Sequence, residues 1–245
     1  MTKQVIVISG GLDSSTLLSY VKAKHDDDEL YCISFDYGQR HYKELTFAEY
    51  QAKQANAHWE LADLTPITNL LVQSGSSLIS DTEVPEGHYA ADNMKQTVVP
   101  NRNMIMTSVA IGHAVAIEAD AVWLGVHAGD HFIYPDCRPI FFQALNAAAV
   151  HGNAGFGRVP DQHVGTEVTK FIKTPFLHWT KGGIARAAFE LKVDIANTWS
   201  CYKGGAMHCG MCGTCVERAE AINETGHIDP TAYENPNFWR EAVKV

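Results

Sequence analysis

Short apolar runs alternate along the chain with segments whose apolar residues recur at helical spacing. The strand-like runs, in chain order, are Val5–Ile8, Leu30–Phe35, His58–Leu61, Ala121–Val126 and Phe171–Ile172. The segments with helical periodicity are Ser14–Lys24, Tyr42–Ala55, Met104–Ile117, Phe141–Val150 and Ile184–Leu191. Such alternation is typical of α/β proteins, in which helices cover both faces of a parallel sheet. We therefore predict an α/β fold with a parallel sheet and helices on both of its faces.

Polar clusters follow three of the predicted strands, as "SGGLDSS", "DYGQRH" and "HAGDH". Ligands of parallel sheets bind beyond the carboxyl ends of the strands, so these clusters indicate a site at that edge. Two long polar segments, Ser74–Val98 and His151–Glu167, are predicted to be lids or binding loops. Small residues and cysteines dominate after Trp199. We predict an α/β domain over residues 1–198 and a small C-terminal module over residues 199–245.

Composition narrows the class of protein. Hydrophobic residues make up 46% of the 245 residues and charged residues 19%, which is typical of a globular chain. The formal net charge of -9 would repel a phosphate backbone, so we expect no direct binding to nucleic acid. We find no secretory leader, and the longest apolar region, Met104–Ile117, is too short to cross a bilayer. We expect a cytoplasmic protein without a membrane partner.

The polar cluster after the first strand, Ser9–Thr16, has the composition of an anion-binding loop. Gly10 and Gly11 allow a tight turn, and Asp13 or Ser14 can cap the helix that follows. Backbone N–H groups at such a helix N-terminus bind phosphate. The loop has neither the spacing nor the lysine of a Walker A motif. An ordinary strand-to-helix turn with a capping serine is the competing interpretation.

The complete string S-G-G-x-D-S resembles the pyrophosphate loop of the N-type ATP pyrophosphatases, enzymes that cleave ATP to AMP and pyrophosphate while adenylating an oxygen. The resemblance implies that Ser9, Gly10, Gly11, Ser14 and Ser15 hold the leaving pyrophosphate. It also implies that Asp13 acts through Mg²⁺ or through the geometry of the loop. The ATP-binding residues predicted on this basis are Ile8, Ser9, Gly10, Gly11, Leu12, Asp13, Ser14, Ser15, Thr16, Leu17 and Leu18, together with Asn101 and Arg102.

Four cysteines form a second motif, "CYKGGAMHCGMCGTC". They are Cys201, Cys209, Cys212 and Cys215. Two overlapping C-x2-C steps bring thiolates around one centre, and four thiolates without an open position suit a structural Zn²⁺. An iron–sulfur cluster uses the same ligands, and unligated buried thiols are the third interpretation. Cys32 is predicted to be a core residue, and Cys137 a packed thiol in preference to a nucleophile.

Further strings narrow the resemblance. These are "SFDYGQRHYKEL", "TVVPNRNMIM", "GVHAGDHFIYPDCRP" and "TWSCYKGG" followed by "HCGMCGTCVER". With the loop, they resemble the 7-cyano-7-deazaguanine synthase family of the PP-loop superfamily, from Val5 to about Asp229. The resemblance implies an adenine nucleotide alpha hydrolase-like, Rossmann-like fold, a structural zinc and a homodimer. It also implies the substrates 7-carboxy-7-deazaguanine, ammonia and ATP.

The residues suit that chemistry. Asp13, Ser14 and Lys181 are the predicted catalytic residues, because a lysine near ATP would stabilise the charge that develops as pyrophosphate leaves. A solvated surface position is the competing interpretation for Lys181. The residues predicted to bind the base are Asp130, His131, Tyr134, Asp136 and Arg138. Arginine is a good partner for a planar carboxylate, although local hydrogen bonds of a loop would explain each of these residues as well.

Three functions therefore compete. The first is an ATP-dependent ligase that forms 7-cyano-7-deazaguanine through an adenylated carboxylate and an amide. The second is a PP-loop enzyme that thiolates tRNA and holds an iron–sulfur cluster, against which the net charge of -9 argues. The third is a zinc-stabilised nucleotide-binding or interaction module without activity. ATP turnover would separate the two enzymes from the module.

Overall fold

A five-stranded parallel sheet forms the centre of the computed structural model, which describes residues 2–127, 133–159, 161 and 170–244. The strands are β1 (Lys3–Val7), β2 (Glu29–Asp36), β3 (His58–Asp63), β4 (Ala121–Trp123) and β5 (Ile172–Lys173). Their order across the sheet is β3-β2-β1-β4-β5, and every pair is parallel. In the register of the sheet, Ile6 of β1 lies between Cys32 of β2 and Trp123 of β4. The predicted strands and the parallel sheet are confirmed.

Eight α-helices are present in the described parts of the chain. They are α1 (Leu12–Lys24), α2 (Glu44–Gln54), α3 (Thr65–Thr68), α4 (Arg102–Ala116), α5 (Pro139–Gly152), α6 (Lys181–Glu190), α7 (Gly213–Glu224) and α8 (Trp239–Ala242). Helices α1, α2, α4, α5 and α6 correspond to the five predicted helices. Helices α3, α7 and α8 were not among the predicted elements.

The alternation of side chains along each strand divides the core into two layers. Val5 and Val122 face one side, where they pack with residues of α4 and α5. Ile6 and Trp123, their neighbours along the strands, face the other side and pack with residues of α1, α2 and α6. Both faces of the sheet are therefore covered, as the near-continuous apolar character of β1 requires.

The strand order places a ligand site between β1 and β4. The chain moves outward from β1 to β2 and β3, and then returns to the other side of β1 to form β4 and β5. At such a reversal the loops that follow the two central strands separate and leave a crevice at the carboxyl edge of the sheet. The glycine-rich loop after β1 begins at this crevice.

Arg218 of α7 ties the C-terminal part of the chain to the rest. Its guanidinium is fully buried and forms two hydrogen bonds with the Asp229 carboxylate, at 2.9 and 3.2 Å. It also donates to the Thr198 hydroxyl at 2.7 Å and to the Ile195 carbonyl at 3.1 Å. A buried charge needs such hydrogen-bond partners. The partners of Arg218 lie on both sides of position 199. The boundary between residues 198 and 199 stays a prediction.

The structure describes the whole of the first predicted loop and only part of the second. Short 3-10 helical turns, Val72–Ser74 and Asp92–Thr97, occur in or next to the segment Ser74–Val98. Helix α5 continues to Gly152, inside the second predicted loop, and residues 160 and 162–169 lie outside the described residues. Among the residues that the structure describes, no helix has the length and apolar character needed to cross a membrane.

Candidate active site

A cavity opens at the carboxyl edge of the sheet, between β1 and β4. Its walls come from the loop after β1, the ends of β2 and β4, and the first residues of α4. Lys181 at the start of α6 and Glu217 of α7 also line it. The cavity therefore combines residues from both faces of the sheet and from the C-terminal part of the chain.

Gly10 fixes the course of the loop. Its φ of 81° lies in the left-handed region, and a Cβ atom there would collide with the Glu44 carbonyl oxygen and the Ala48 backbone nitrogen of α2. The Gly10 carbonyl accepts a hydrogen bond of 2.8 Å from the backbone of Trp199. The close contact with α2 thus requires glycine at this position.

Ser9 and Ser14 face each other across the loop. The Ser14 hydroxyl accepts from the Ser9 backbone nitrogen at 3.1 Å and lies 3.2 Å from the Ser9 hydroxyl. Helix α1 begins at Leu12 with Gly11 as the N-cap residue, and among the described residues no side chain caps its N-terminus. The free N–H groups of the first turn and the two hydroxyls form a potential anion site.

Asp13 and Lys181 form an ion pair in the cavity. The Lys181 ammonium lies 2.6 Å from Asp13 Oδ2 and 3.3 Å from Glu217 Oε2. The imidazole of His127, which is buried, lies 3.6 Å from Asp13 Oδ2 and 3.9 Å from Glu217 Oε1. Two carboxylates, an ammonium and an imidazole therefore converge from α1, α6, α7 and the segment that follows β4.

The environment of Asp13 favours its ionised form. Burial alone would raise the pKa of Asp13, but Lys181, His127 and the more distant Arg218 outweigh this effect, so that its pKa lies below the ordinary value. Its second oxygen, Oδ1, is buried and has no hydrogen-bond partner among the described residues. An ionised carboxylate oxygen without a partner is the kind of ligand that Mg²⁺ binds, so the residues present fit the predicted cation.

Only some of the predicted ATP-binding residues face the cavity. Its lining includes Ile8, Ser9, Gly11, Leu12, Asp13, Ser14 and Arg102. Ser15 and Thr16 are fully buried in α1, and Leu17 and Leu18 pack in the core against the sheet. Asn101 is exposed just before α4, where its φ of 60° is left-handed. Of the predicted ATP-binding residues, those of the first group are therefore placed to contact a ligand in this cavity.

An aromatic wall of the cavity is formed by Tyr37, His41, Glu44, Arg102 and Tyr134. Arg102 lies 5.9 Å from the ring centres of both Tyr37 and Tyr134. Burial raises the pKa of Glu44 to about 8, although Gln39 and Arg102 act to lower it. Burial likewise lowers the pKa of His41 to about 3, so that its imidazole is neutral. This wall offers flat apolar surfaces together with hydrogen-bonding groups.

The residues predicted to bind the base are placed differently from one another. Tyr134 lines the cavity, and its hydroxyl lies 2.6 Å from the Thr97 hydroxyl. Asp136 accepts from the Asn103 backbone nitrogen at 3.2 Å, which is a local structural contact at the start of α4. Arg138 is the N-cap residue of α5 and does not line the cavity. Asp130 and His131 lie outside the described residues.

The four cysteines of the C-terminal motif come together. Their Sγ atoms all lie within 4.8 Å of one another, and all four residues are buried. The backbone nitrogens of Met211 and Cys212 each approach Cys209 Sγ at 3.3 Å. A tetrahedral Zn²⁺ with Zn–S bonds of about 2.3 Å holds its sulfurs roughly 3.8 Å apart. The Cys209–Cys215 separation of 3.9 Å fits a single metal ion of this size.

Comparison with known proteins identifies the family. The family model described as "Queuosine biosynthesis protein QueC" matches residues 3–226. The chain belongs to this family. It is 50% identical to a 7-cyano-7-deazaguanine synthase of Ruegeria pomeroyi over 99% of each chain. It is 47% identical to the synthase of Agrobacterium fabrum, over 99% of this chain and 97% of that protein.

Membership of this family confirms the resemblance found in the sequence and the prediction of an enzyme. Asp13 and Lys181 are predicted from the sequence, whereas Glu217, Glu44 and Tyr202, which also line the cavity, are not. Glu217 follows the cysteine motif by only two residues, and this short spacing was the signal that could have connected the motif to the site.

Proposed function

We propose that the enzyme converts 7-carboxy-7-deazaguanine, ammonia and ATP to 7-cyano-7-deazaguanine in the cytoplasm, within the queuosine pathway. The observation that carries this proposal is the joint placement of the glycine-rich loop and the Asp13–Lys181 pair in one cavity, in a chain of this family. The uncapped N-terminus of α1 supports binding of the ATP phosphates.

The chemistry requires two activations of oxygen. A carboxylate is a poor electrophile, because oxide would have to leave. Attack of the carboxylate on the α-phosphorus of ATP releases pyrophosphate and gives an acyl adenylate, and ammonia then displaces AMP to form the amide. The amide oxygen attacks a second ATP, and loss of AMP and a proton yields the nitrile. Each nitrile thus consumes two ATP and releases two AMP and two pyrophosphates.

Lys181 has the position and charge to act on the leaving group. An ammonium held beside the phosphate loop stabilises the negative charge that develops on pyrophosphate. Asp13 holds Lys181 through the ion pair of 2.6 Å, and Ser9 and Ser14 offer hydroxyls to the phosphate oxygens. Asp13 Oδ1 would also hold Mg²⁺, which screens the phosphate charge when it is bound. These roles make Asp13, Ser14 and Lys181 the proposed catalytic residues.

The aromatic wall suits a flat, polar base. Tyr37 and Tyr134 supply aromatic surface, and Arg102 and Glu44 supply hydrogen-bonding groups. Asn101 is kept as a proposed ATP contact. Asp130, His131, Asp136 and Arg138 stay predictions as contacts of the base or its carboxylate.

We further propose that Cys201, Cys209, Cys212 and Cys215 hold a structural Zn²⁺ and that the enzyme is a homodimer. The sulfur separations support a single ion, because an iron–sulfur cluster spreads its thiolates over several irons. Four buried thiolates leave no open position for substrate, so the ion would contribute to folding and not to the reaction.

Mass spectrometry of purified enzyme with 7-carboxy-7-deazaguanine, ammonium and Mg-ATP tests the proposed reaction. We expect the nitrile, with about two ATP consumed for each molecule formed. Synthetic 7-amido-7-deazaguanine should give the nitrile with ATP alone, and Ser14→Ala should lose both half-reactions, because a single loop serves both. An inert amide, or loss of only one half-reaction, would contradict the use of one site for both activations.

A further inference from the structure

A second, smaller cavity adjoins the candidate active site. The two cavities share the side chains of Tyr134, Tyr202, Thr214 and Glu217 as a common wall. The small cavity has a volume of about 40 Å³, compared with about 250 Å³ for the large one. Since about 10–15 Å³ of such volume holds one water molecule, the small cavity admits only ligands of a few atoms. A base or a nucleotide is too large for it.

The hydroxyl groups of this cavity present oxygen lone pairs to its interior. Thr97 donates its hydrogen to the Met94 carbonyl at 2.7 Å, so the Tyr134 hydroxyl, 2.6 Å away, donates to Thr97. Thr214 donates to the Ser200 carbonyl at 2.8 Å. With those hydrogens engaged elsewhere, the threonine oxygens act toward a ligand as acceptors.

Charge and aromatic surface complete the same pattern. Glu217 adds a carboxylate that is only 7% exposed. Tyr89, Tyr134 and Tyr202 add aromatic rings. Acceptor oxygens, a carboxylate and aromatic faces together favour a small cation rich in N–H donors, and they disfavour an anion.

We propose that this cavity binds ammonium and supplies the nitrogen of the reaction through the wall that it shares with the active site. The proposal rests on the proposed function, in which ammonia attacks the acyl adenylate. One proton leaves ammonium for solvent before the attack. The new C–N bond then forms as the C–O bond to AMP breaks, and the nitrogen loses a second proton to solvent.

A series of amines tests the size of the site in the unmodified enzyme. With 7-carboxy-7-deazaguanine and Mg-ATP at saturation, ammonium should give product, whereas ethylamine should give no N-ethylamide detectable by mass spectrometry. Met94→Ala enlarges the cavity, so methylamine and ethylamine should become substrates at least tenfold better than with the unmodified enzyme. Their secondary amides cannot lose water to a nitrile and should accumulate. Met104→Ala, in a partly buried methionine of the main core, is the matched control.

A second variant tests the hydrogen-bonding character of the site and does not depend on the folding of Met94→Ala. Thr97→Val keeps the volume and removes one acceptor. It should raise the KM for ammonium about tenfold, with the KM values for ATP and the acid unchanged and activity restored by excess ammonium. Thr107→Val, at a buried threonine outside both cavities whose hydroxyl has no partner among the described residues, is the control.

The outcomes separate this proposal from the proposed function. If ammonium-dependent turnover occurs but the unmodified enzyme uses ethylamine as well as ammonium, the ammonium site is wrong and the proposed function stands. The same holds if Thr97→Val leaves the KM for ammonium unchanged. If no nitrile forms with any ammonium concentration, both proposals are overturned.

Discussion

The loop Ser9–Ser14 and the turn Cys209–Cys215 have a similar place in the chain, but their ligand-binding groups differ in exposure. Each is a glycine-containing turn that leads into a helix, α1 or α7. In the first, polar groups face an open cavity, and Asp13 Oδ1 has no partner among the described residues. In the second, the thiols of Cys209, Cys212 and Cys215 are buried together with that of Cys201, and two backbone N–H groups approach Cys209 Sγ. Unsatisfied groups suit a ligand that binds and leaves, whereas a closed and saturated set suits a resident ion.

Glu217 connects these two regions. It follows Cys215 by two residues on α7, and its carboxylate lies 3.3 Å from the Lys181 ammonium that also binds Asp13. A metal that orders the start of α7 would therefore also position one side of the active site. Changes in either region should separate a folding role from a catalytic one.

The largest expected effect is the loss of the metal site. Cys212→Ser should lower the free energy of unfolding by about 5 kcal/mol or more, because structural zinc binding contributes directly to folding. Thermal unfolding and elemental analysis measure this, and we expect about one zinc per chain in the unmodified enzyme. Cys32→Ala, at a buried thiol in β2, should cost only about 1–2 kcal/mol and keep the zinc. Iron with acid-labile sulfide would refute the zinc assignment.

In the phosphate loop, by contrast, we expect a substitution to reduce activity and to leave the zinc in place. Asp13→Asn should lower kcat/KM about a thousandfold, because Lys181 loses the charged partner that holds it at the leaving group. Steady-state kinetics measure the loss, and zinc content should stay unchanged. Asp92→Asn, which removes only an exposed pair with Lys95, should change kcat/KM less than twofold. Activity of Asp13→Asn within tenfold of the unmodified enzyme would contradict the proposed role.

Glu217→Gln should have an intermediate effect and would show whether the two regions are coupled. Removing its charge removes one of the two ion pairs of Lys181 and leaves the pair with Asp13. We therefore expect kcat/KM to fall about tenfold to a hundredfold, with the zinc retained. Glu190→Gln, at the exposed end of α6, is the control. Loss of zinc from Glu217→Gln would show instead that Glu217 acts through the fold.

Periodicity predicted the sheet but not every helix. The apolar runs at β1 and β2 are strong because both faces of these strands are buried, so their positions follow from the sequence alone. Helix α7 lacks such a run, because it buries Glu217 and Arg218 in polar contacts that depend on distant residues. Likewise the loop motif identified Asp13, whereas its approach to Glu217 depends on the packing of α6 against α7. Such tertiary contacts cannot be predicted from the local sequence pattern.

The smallest expected effect concerns Glu44 of the aromatic wall and appears only as a dependence of stability on pH. Burial raises the pKa of Glu44 to about 8 in the folded enzyme, above the value of about 4.5 expected for an unfolded chain. The folded state therefore binds more protons than the unfolded state between these values, and the contribution of Glu44 to stability falls as pH rises from about 5 to 9.

Glu44→Gln removes this titration and keeps an oxygen to accept from Gln39. Thermal unfolding should show a similar Tm for both proteins near pH 5 and a Tm higher by several degrees for Glu44→Gln near pH 9. Glu49→Gln, on the exposed side of the same helix, should follow the unmodified enzyme at every pH. A constant difference between Glu44→Gln and the unmodified enzyme across this range would mean that Glu44 is not held as a buried acid.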